Sequence, residues 1–157
     1  MTAAAESFPA PATMPRKFGK PLLPVRGVMS LIDKNEDQVL ALIDEGKLAW
    51  AFDVSLLGPE RGRTKELRVL PAALVDYMYG RPCELTWASV CRLLIPDGPI
   101  VTSLEIYRML NISGTQLYNL VRAKQIAPCS TWRRGPKGKA QFSVVGFKEF
   151  LRARRFP

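Results

Sequence analysis

Apolar residues recur along the chain at two alternating spacings, and the order of those spacings is the first guide to the fold. Val28, Met29, Leu31 and Ile32 fit one face of a short helix. Asp33, Asn35 and the lysine between them read as a turn, after which Val39, Leu42, Ile43 and Leu48 return at helical spacing, with Gly46 closing that second helix. Residues 50–56 alternate and predict a strand, Gly58, Pro59 and Gly62 mark a hairpin tip, and residues 66–70 predict the return strand. Pro71 opens a further helix carrying Leu74, Val75, Tyr77 and Met78.

The same order appears again in the second half. Thr102 or Ser103 caps a helix with Leu104, Ile106, Tyr107 and Leu110, Asn111 and Ile112 make the turn, and Ser113 caps a second helix with Leu117, Leu120, Val121 and Ile126 inward. Strands are expected around 130–133 and 141–144, with a turn rich in Gly, Pro and basic residues between them, followed by a helix whose inner face is Phe147, Phe150 and Leu151. Gln38 falls on Gln116, Leu48 on Ile126, and Leu74, Tyr77 and Met78 on Phe147, Phe150 and Leu151. This layout is an internal repeat with its gaps confined to the hairpins. The expected organisation is mainly α with small β-hairpins, an α+β class. It comprises an Ala/Pro-rich arm over 1–24, a first module over 25–78, a linker and bridging helix over 79–99, and a second module over 100–157 ending in a basic tail. The bridging helix, expected over 85–95, carries Trp87, Val90, Cys91 and Leu94 on one side and has no counterpart in the first module.

Charge divides the halves. The 157 residues carry a formal net charge of +9. Residues 25–78 hold seven basic and nine acidic side chains, whereas residues 84–157 hold twelve basic and four acidic ones. Almost all of the excess positive charge therefore lies in the second half, and an anionic partner, nucleic acid before membrane, is expected there. No apolar run approaches the ~20 residues of a membrane span, and the N-terminus lacks a secretory layout, so a cytoplasmic location is expected. Cys83, Cys91 and Cys129 are an odd, separated set, and with no histidine and no C-x-x-C pair they predict neither a disulfide framework nor a zinc site. No metal, cofactor or catalytic residue is expected. The chain lacks a phosphate-binding loop and a nucleotide-binding glycine fingerprint, and Asp33, Asp37 and Asp44 fit a polar helix face better than an acidic active site.

The run from Ser113 through Leu117, Tyr118, Leu120, Val121 and Arg122, followed by a short end and a basic hairpin, resembles the second helix and wing of excisionase-like and MerR-type winged helix-turn-helix proteins. The resemblance implies two tandem winged modules that bind double-stranded DNA, as in transcription regulators and recombination directionality factors. The second helix would lie in the major groove and the wing alongside. Base-reading candidates are Ser113, Thr115, Gln116 and Asn119, because hydroxyl and amide side chains near a helix start can pair with base edges. Arg122, Arg133, Arg134, Lys137 and Lys139 are candidates for phosphate or minor-groove contact, with Arg152, Arg154 and Arg155 adding charge, and Arg61, Arg63, Lys65 and Arg68 supply the first hairpin. Against DNA contact by the first module stand Glu36, Asp37, Asp44 and Glu45 on its second helix. The alternative for that module is contact with protein, either self-association or an adaptor role using Trp50, Phe52 and Trp87. Helix 85–95 is a second candidate surface for such contact.

Overall fold

A computed structural model describes residues 21–56, 66–129 and 140–156. Among these residues the chain is α+β, with seven helices and two small antiparallel sheets. The first half runs β1 (Leu23–Pro24), α1 (Val25–Ile32), α2 (Glu36–Asp44), β2 (Ala51–Asp53), β3 (Leu67–Val69) and α3 (Pro71–Met78). Helix α4 (Trp87–Leu94) follows, then β4 (Ile100–Thr102), α5 (Ser103–Leu110), α6 (Gly114–Arg122), β5 (Gln141–Ser143), α7 (Val144–Ala153) and β6 (Arg155–Phe156).

Local chemistry sets the helix ends. The side chain of Asn35 accepts from the Gln38 backbone N–H, and the Gln38 side chain accepts from the Asn35 N–H, so α2 starts in a capping box. Thr102 and Glu105 do the same for α5. Single side-chain caps start α4 (Thr86), α6 (Ser113) and α7 (Ser143), and Pro71 occupies the first turn of α3.

The repeat extends to the backbone. Asp33 ends α1 at φ 55°, ψ 52°, and Asn111 ends α5 at φ 56°, ψ 50°. Both sit in the left-handed region that Asp and Asn tolerate better than most residues. After α2 the chain turns through Gly46 at φ 79°, and at the matching place after α6 Lys124 adopts φ 62° without a glycine's freedom. Strand registers match as well: Leu23 pairs with Val69, and Val101 with Phe142. Cys129 N–H donates to the Gln141 carbonyl at 2.7 Å.

The two halves are packed into each other. One cluster, with Val28, Val39, Leu42, Ile43, Leu48, Ala51, Leu67, Val69 and Leu74, is the first half's own core. The other holds Phe142, Phe147, Phe150 and Leu151 of the second half together with Leu22, Trp50, Phe52, Val54 and Leu70 of the first. Strand β2 thus sends alternate side chains to two different cores, and its sheet is sandwiched between α1–α3 and the second half. Trp87 on α4 stacks on Trp50 at 6.0 Å between centroids, and Val90, Cys91 and Leu94 join the shared cluster, so α4 bridges the halves.

Order near Leu22 and Leu23, expected at the end of the Ala/Pro-rich arm, is found: Leu22 is fully buried and Leu23–Pro24 form a strand on the first half. Two expectations change. The basic segment read as a C-terminal tail is strand β6, paired with β2 to complete the order β1-β3-β2-β6. Trp50 and Phe52, offered with Trp87 as a surface for an adaptor, are buried, and the half-buried Trp87 stacks on Trp50. The strand expected at 130–133 and both hairpin tips lie outside the described residues.

Candidate nucleic-acid interface

Helix α6 turns Leu117 and Leu120 into the core, which leaves Thr115, Asn119 and Arg122 exposed at spacings of four and three on the opposite face. Ser113 is exposed at the helix start, where its hydroxyl oxygen accepts from the Gln116 N–H at 3.0 Å. Thr115 and Asn119 present hydroxyl and amide groups outward, one turn before a guanidinium. Such a stripe can reach base edges with its first turns and a phosphate with its last.

Gln116 departs from the expected base-reading set. Its amide Nε2 donates to Glu66 Oε2 at 3.1 Å and to the Val54 carbonyl at 3.5 Å, tying α6 to the base of the first hairpin. A base contact would require breaking both bonds. Gln38, at the matching place, folds back as a capping-box acceptor instead. The two glutamines that align in sequence thus serve different local structures.

Arg68, counted in sequence with the first hairpin's cations, also points elsewhere. Its guanidinium donates to the Leu110 and Asn111 carbonyls at 3.1 Å and lies 3.6 Å from Glu66. A cation at these carbonyls satisfies the end of α5. Burial pushes the Arg68 pKa down, and Glu66 opposes that shift. Arg154 is 4 % exposed and donates to the Asp53 carbonyl (3.1 Å), the Ser55 carbonyl (2.6 Å) and Gln125 Oε1 (2.9 Å). Arg155 covers the Trp50 ring at 3.7 Å and donates to the Ala49 carbonyl. These three arginines hold the halves together. Sequence reasoning read them only as positive charge, and no local signal marked the difference, because their partners in the other half lie 42 to 106 residues away.

Other cations remain outward. Arg92, Arg108, Arg122, Lys124 and Arg152 are exposed, and among the described residues no Lys or Arg between 84 and 156 forms an ion pair. The ion pairs found there, Lys47–Glu45, Arg68–Glu66 and Arg81–Asp76, belong to the preceding segment. Helix α2 presents the opposite chemistry, since the positions matching Thr115, Asn119 and Arg122 are Asp37, Ala41 and Asp44, all exposed. The remaining wing candidates, Arg61, Arg63, Lys65, Arg133, Arg134, Lys137 and Lys139, lie outside the described residues.

Among the described residues no group of His, Cys, Asp and Glu could hold a metal ion, and no helix is long and apolar enough to cross a membrane. Comparison with family models, with curated proteins and with solved structures finds no match to this chain.

Proposed function

We propose that the chain is a sequence-specific double-stranded DNA-binding protein built from two tandem winged helix-turn-helix modules. In this reading the second module does the reading. The observation that carries the proposal is the contrast between two equivalent helices: α6 exposes Thr115, Asn119 and Arg122, and α2 exposes Asp37, Ala41 and Asp44. A major groove lined by phosphates accepts the first stripe and repels the second. Support also comes from the exposed cations of the second half, which form no ion pair among the described residues, and from the repeated helix, turn, helix and strand order. The resemblance noted in the sequence places the role among transcription regulators and excisionase-like recombination directionality factors of bacteria or mobile elements.

The test is the affinity for a labelled duplex as a function of salt. Log K is expected to fall linearly with log salt, and Arg122→Ala to reduce the slope by about one. Asn119→Ala is expected to cost roughly 1–3 kcal/mol on the preferred sequence and little on random DNA. Absence of salt-sensitive binding would overturn the proposal. A protein-binding role for the first half is the second reading, favoured by the exposed apolar side chains of Leu31, Met78 and Tyr79.

A further inference from the structure

The bonds that take Gln116 away from bases bring a residue of the first half to the reading helix. Gln116 stands in the first turn of α6, three residues after the Ser113 cap. Asn119 follows at a spacing of three, so the two are neighbours on the helix surface and Gln116 borders the stripe of Thr115, Asn119 and Arg122. Gln116 Nε2 donates to Glu66 Oε2 at 3.1 Å. The Glu66 carboxylate therefore lies beside the end of α6 whose residues would meet base edges. Its backbone carbonyl accepts from Val54 N–H at 3.0 Å, one residue beyond the ends of β2 and β3, and Arg68 lies 3.6 Å from Oε2. Both side-chain partners reach Oε2. Oε1 accepts from no donor among the described residues, and the side chain is 48 % exposed.

A carboxylate at this place carries a cost and has one use. Phosphates repel it, and among the described residues Arg68 alone pairs with it. A neutral amide oxygen would accept from Gln116 equally well. In the major groove only the amines of cytosine and adenine donate, and adenine holds its N7 acceptor beside the amine. Guanine and thymine turn acceptors outward. A group that only accepts therefore favours the N4 amine of cytosine.

We propose that Glu66 is a specificity-determining residue of the α6 site, its carboxylate accepting from the N4 amine of a cytosine at the base pair beside the first turn of α6. The first half, whose own helix α2 exposes Asp37 and Asp44, thus supplies one of the base contacts of the second. On the DNA reading above, on which this assignment rests, Thr115 and Asn119 keep the neighbouring bases.

The experiment is selection of bound duplexes from a random pool by the full chain and by Glu66→Gln, which keeps an oxygen for Gln116 and removes the charge. For the native chain one position is expected to favour a C·G pair about tenfold over the others. Glu66→Gln is expected to lose that preference or turn it toward adenine, which an amide pairs with, while the other positions of the motif stay as they were and affinity for random duplexes is no lower. Base preference is a ratio among sequences bound by folded protein, so a loss of stability does not mimic this result. Glu66→Asp keeps the charge beside Arg68 but withdraws the carboxylate. It is expected to lose the same preference and decides the question if Glu66→Gln does not fold. A C·G preference that survives substitution, or a native motif without a C·G position, overturns the proposal, leaves the DNA reading in place and makes Glu66 a clasp between Gln116 and Arg68. No enriched motif for the native chain removes both.

Discussion

Replacing Arg154 with methionine is expected to cost about 3–5 kcal/mol of stability, since each buried acceptor left without its donor costs about 1–3 kcal/mol. The magnitude follows from what the guanidinium leaves behind. Three acceptors lose their donor: the Asp53 and Ser55 carbonyls and the Gln125 side chain, the shortest bond being 2.6 Å. Asp53 is itself fully buried, with Oδ1 accepting from the Ser55 N–H and Oδ2 unpartnered among the described residues. Arg154 supplies the nearby positive charge: burial pushes its pKa down, and Asp53 pulls it back up, so it stays ionised throughout the accessible pH range. Methionine keeps much of the packing over Phe150, whose ring lies 5.0 Å from the guanidinium carbon, but none of the donors. For a chain of this size the loss corresponds to a fall in Tm of roughly 6–20 °C. Urea denaturation followed by tryptophan emission is the assay, since Trp50 and Trp87 sit at the joint that Arg154 helps close. Adding Asp53→Asn to the methionine variant removes the stranded carboxylate and is expected to recover part of the loss. A loss below about 1 kcal/mol for Arg154→Met, or no recovery in the double variant, would refute the reasoning that this residue joins the halves as a buried, charge-balanced clasp.

Three smaller outcomes are expected. Lys124→Gly should stabilise the fold by up to about 1 kcal/mol in the same denaturation assay, because φ 62° strains a residue with a Cβ, and Gly46→Ala should destabilise by a similar amount although nothing crowds the new methyl. Gln116→Ala should lower stability while weakening preferred and random DNA alike, which separates it from Asn119→Ala in a binding titration. Toward a thiol reagent at neutral pH, Cys129 should react first and Cys91 last, since Cys129 is exposed and burial pushes the Cys91 pKa up despite nearby Lys148, Arg152 and Arg92.

The helices were legible because each carries its own apolar stripe and most carry a side-chain cap or, in α3, a proline in the first turn. The turns at Asp33 and Asn111 were legible because so few residue types suit them. The repeat followed from those two signals together. Strands β1, β4 and β6 were not legible, since no alternating run extends beyond their two or three residues and their pairing partners lie far away in the chain. The alternation of residues 50–56 implied one buried face, yet Trp50 to Val54 are all buried, because the second half packs on Trp50, Phe52 and Val54 while the other side, with Ala51, faces the first half's own core. The opposite error occurred at Leu31, Val75 and Met78, which were placed inward by periodicity and are exposed. An apolar side chain at the edge of a stripe can meet either a core or a partner, and spacing alone does not distinguish them. At the candidate interface the outward positions of α6 were legible from helical geometry. The diversion of Gln116, Arg68 and Arg154 was not, because each is set by a residue far away in the chain.

The most direct test of the central claim is selection of bound fragments from a genomic DNA pool at two salt concentrations. One short enriched motif is expected, weaker at the higher salt, unchanged by Asp37→Asn and lost with Asn119→Ala, as follows if α6 reads bases and α2 does not. No enrichment at either salt, or a motif that survives Asn119→Ala, would contradict the account.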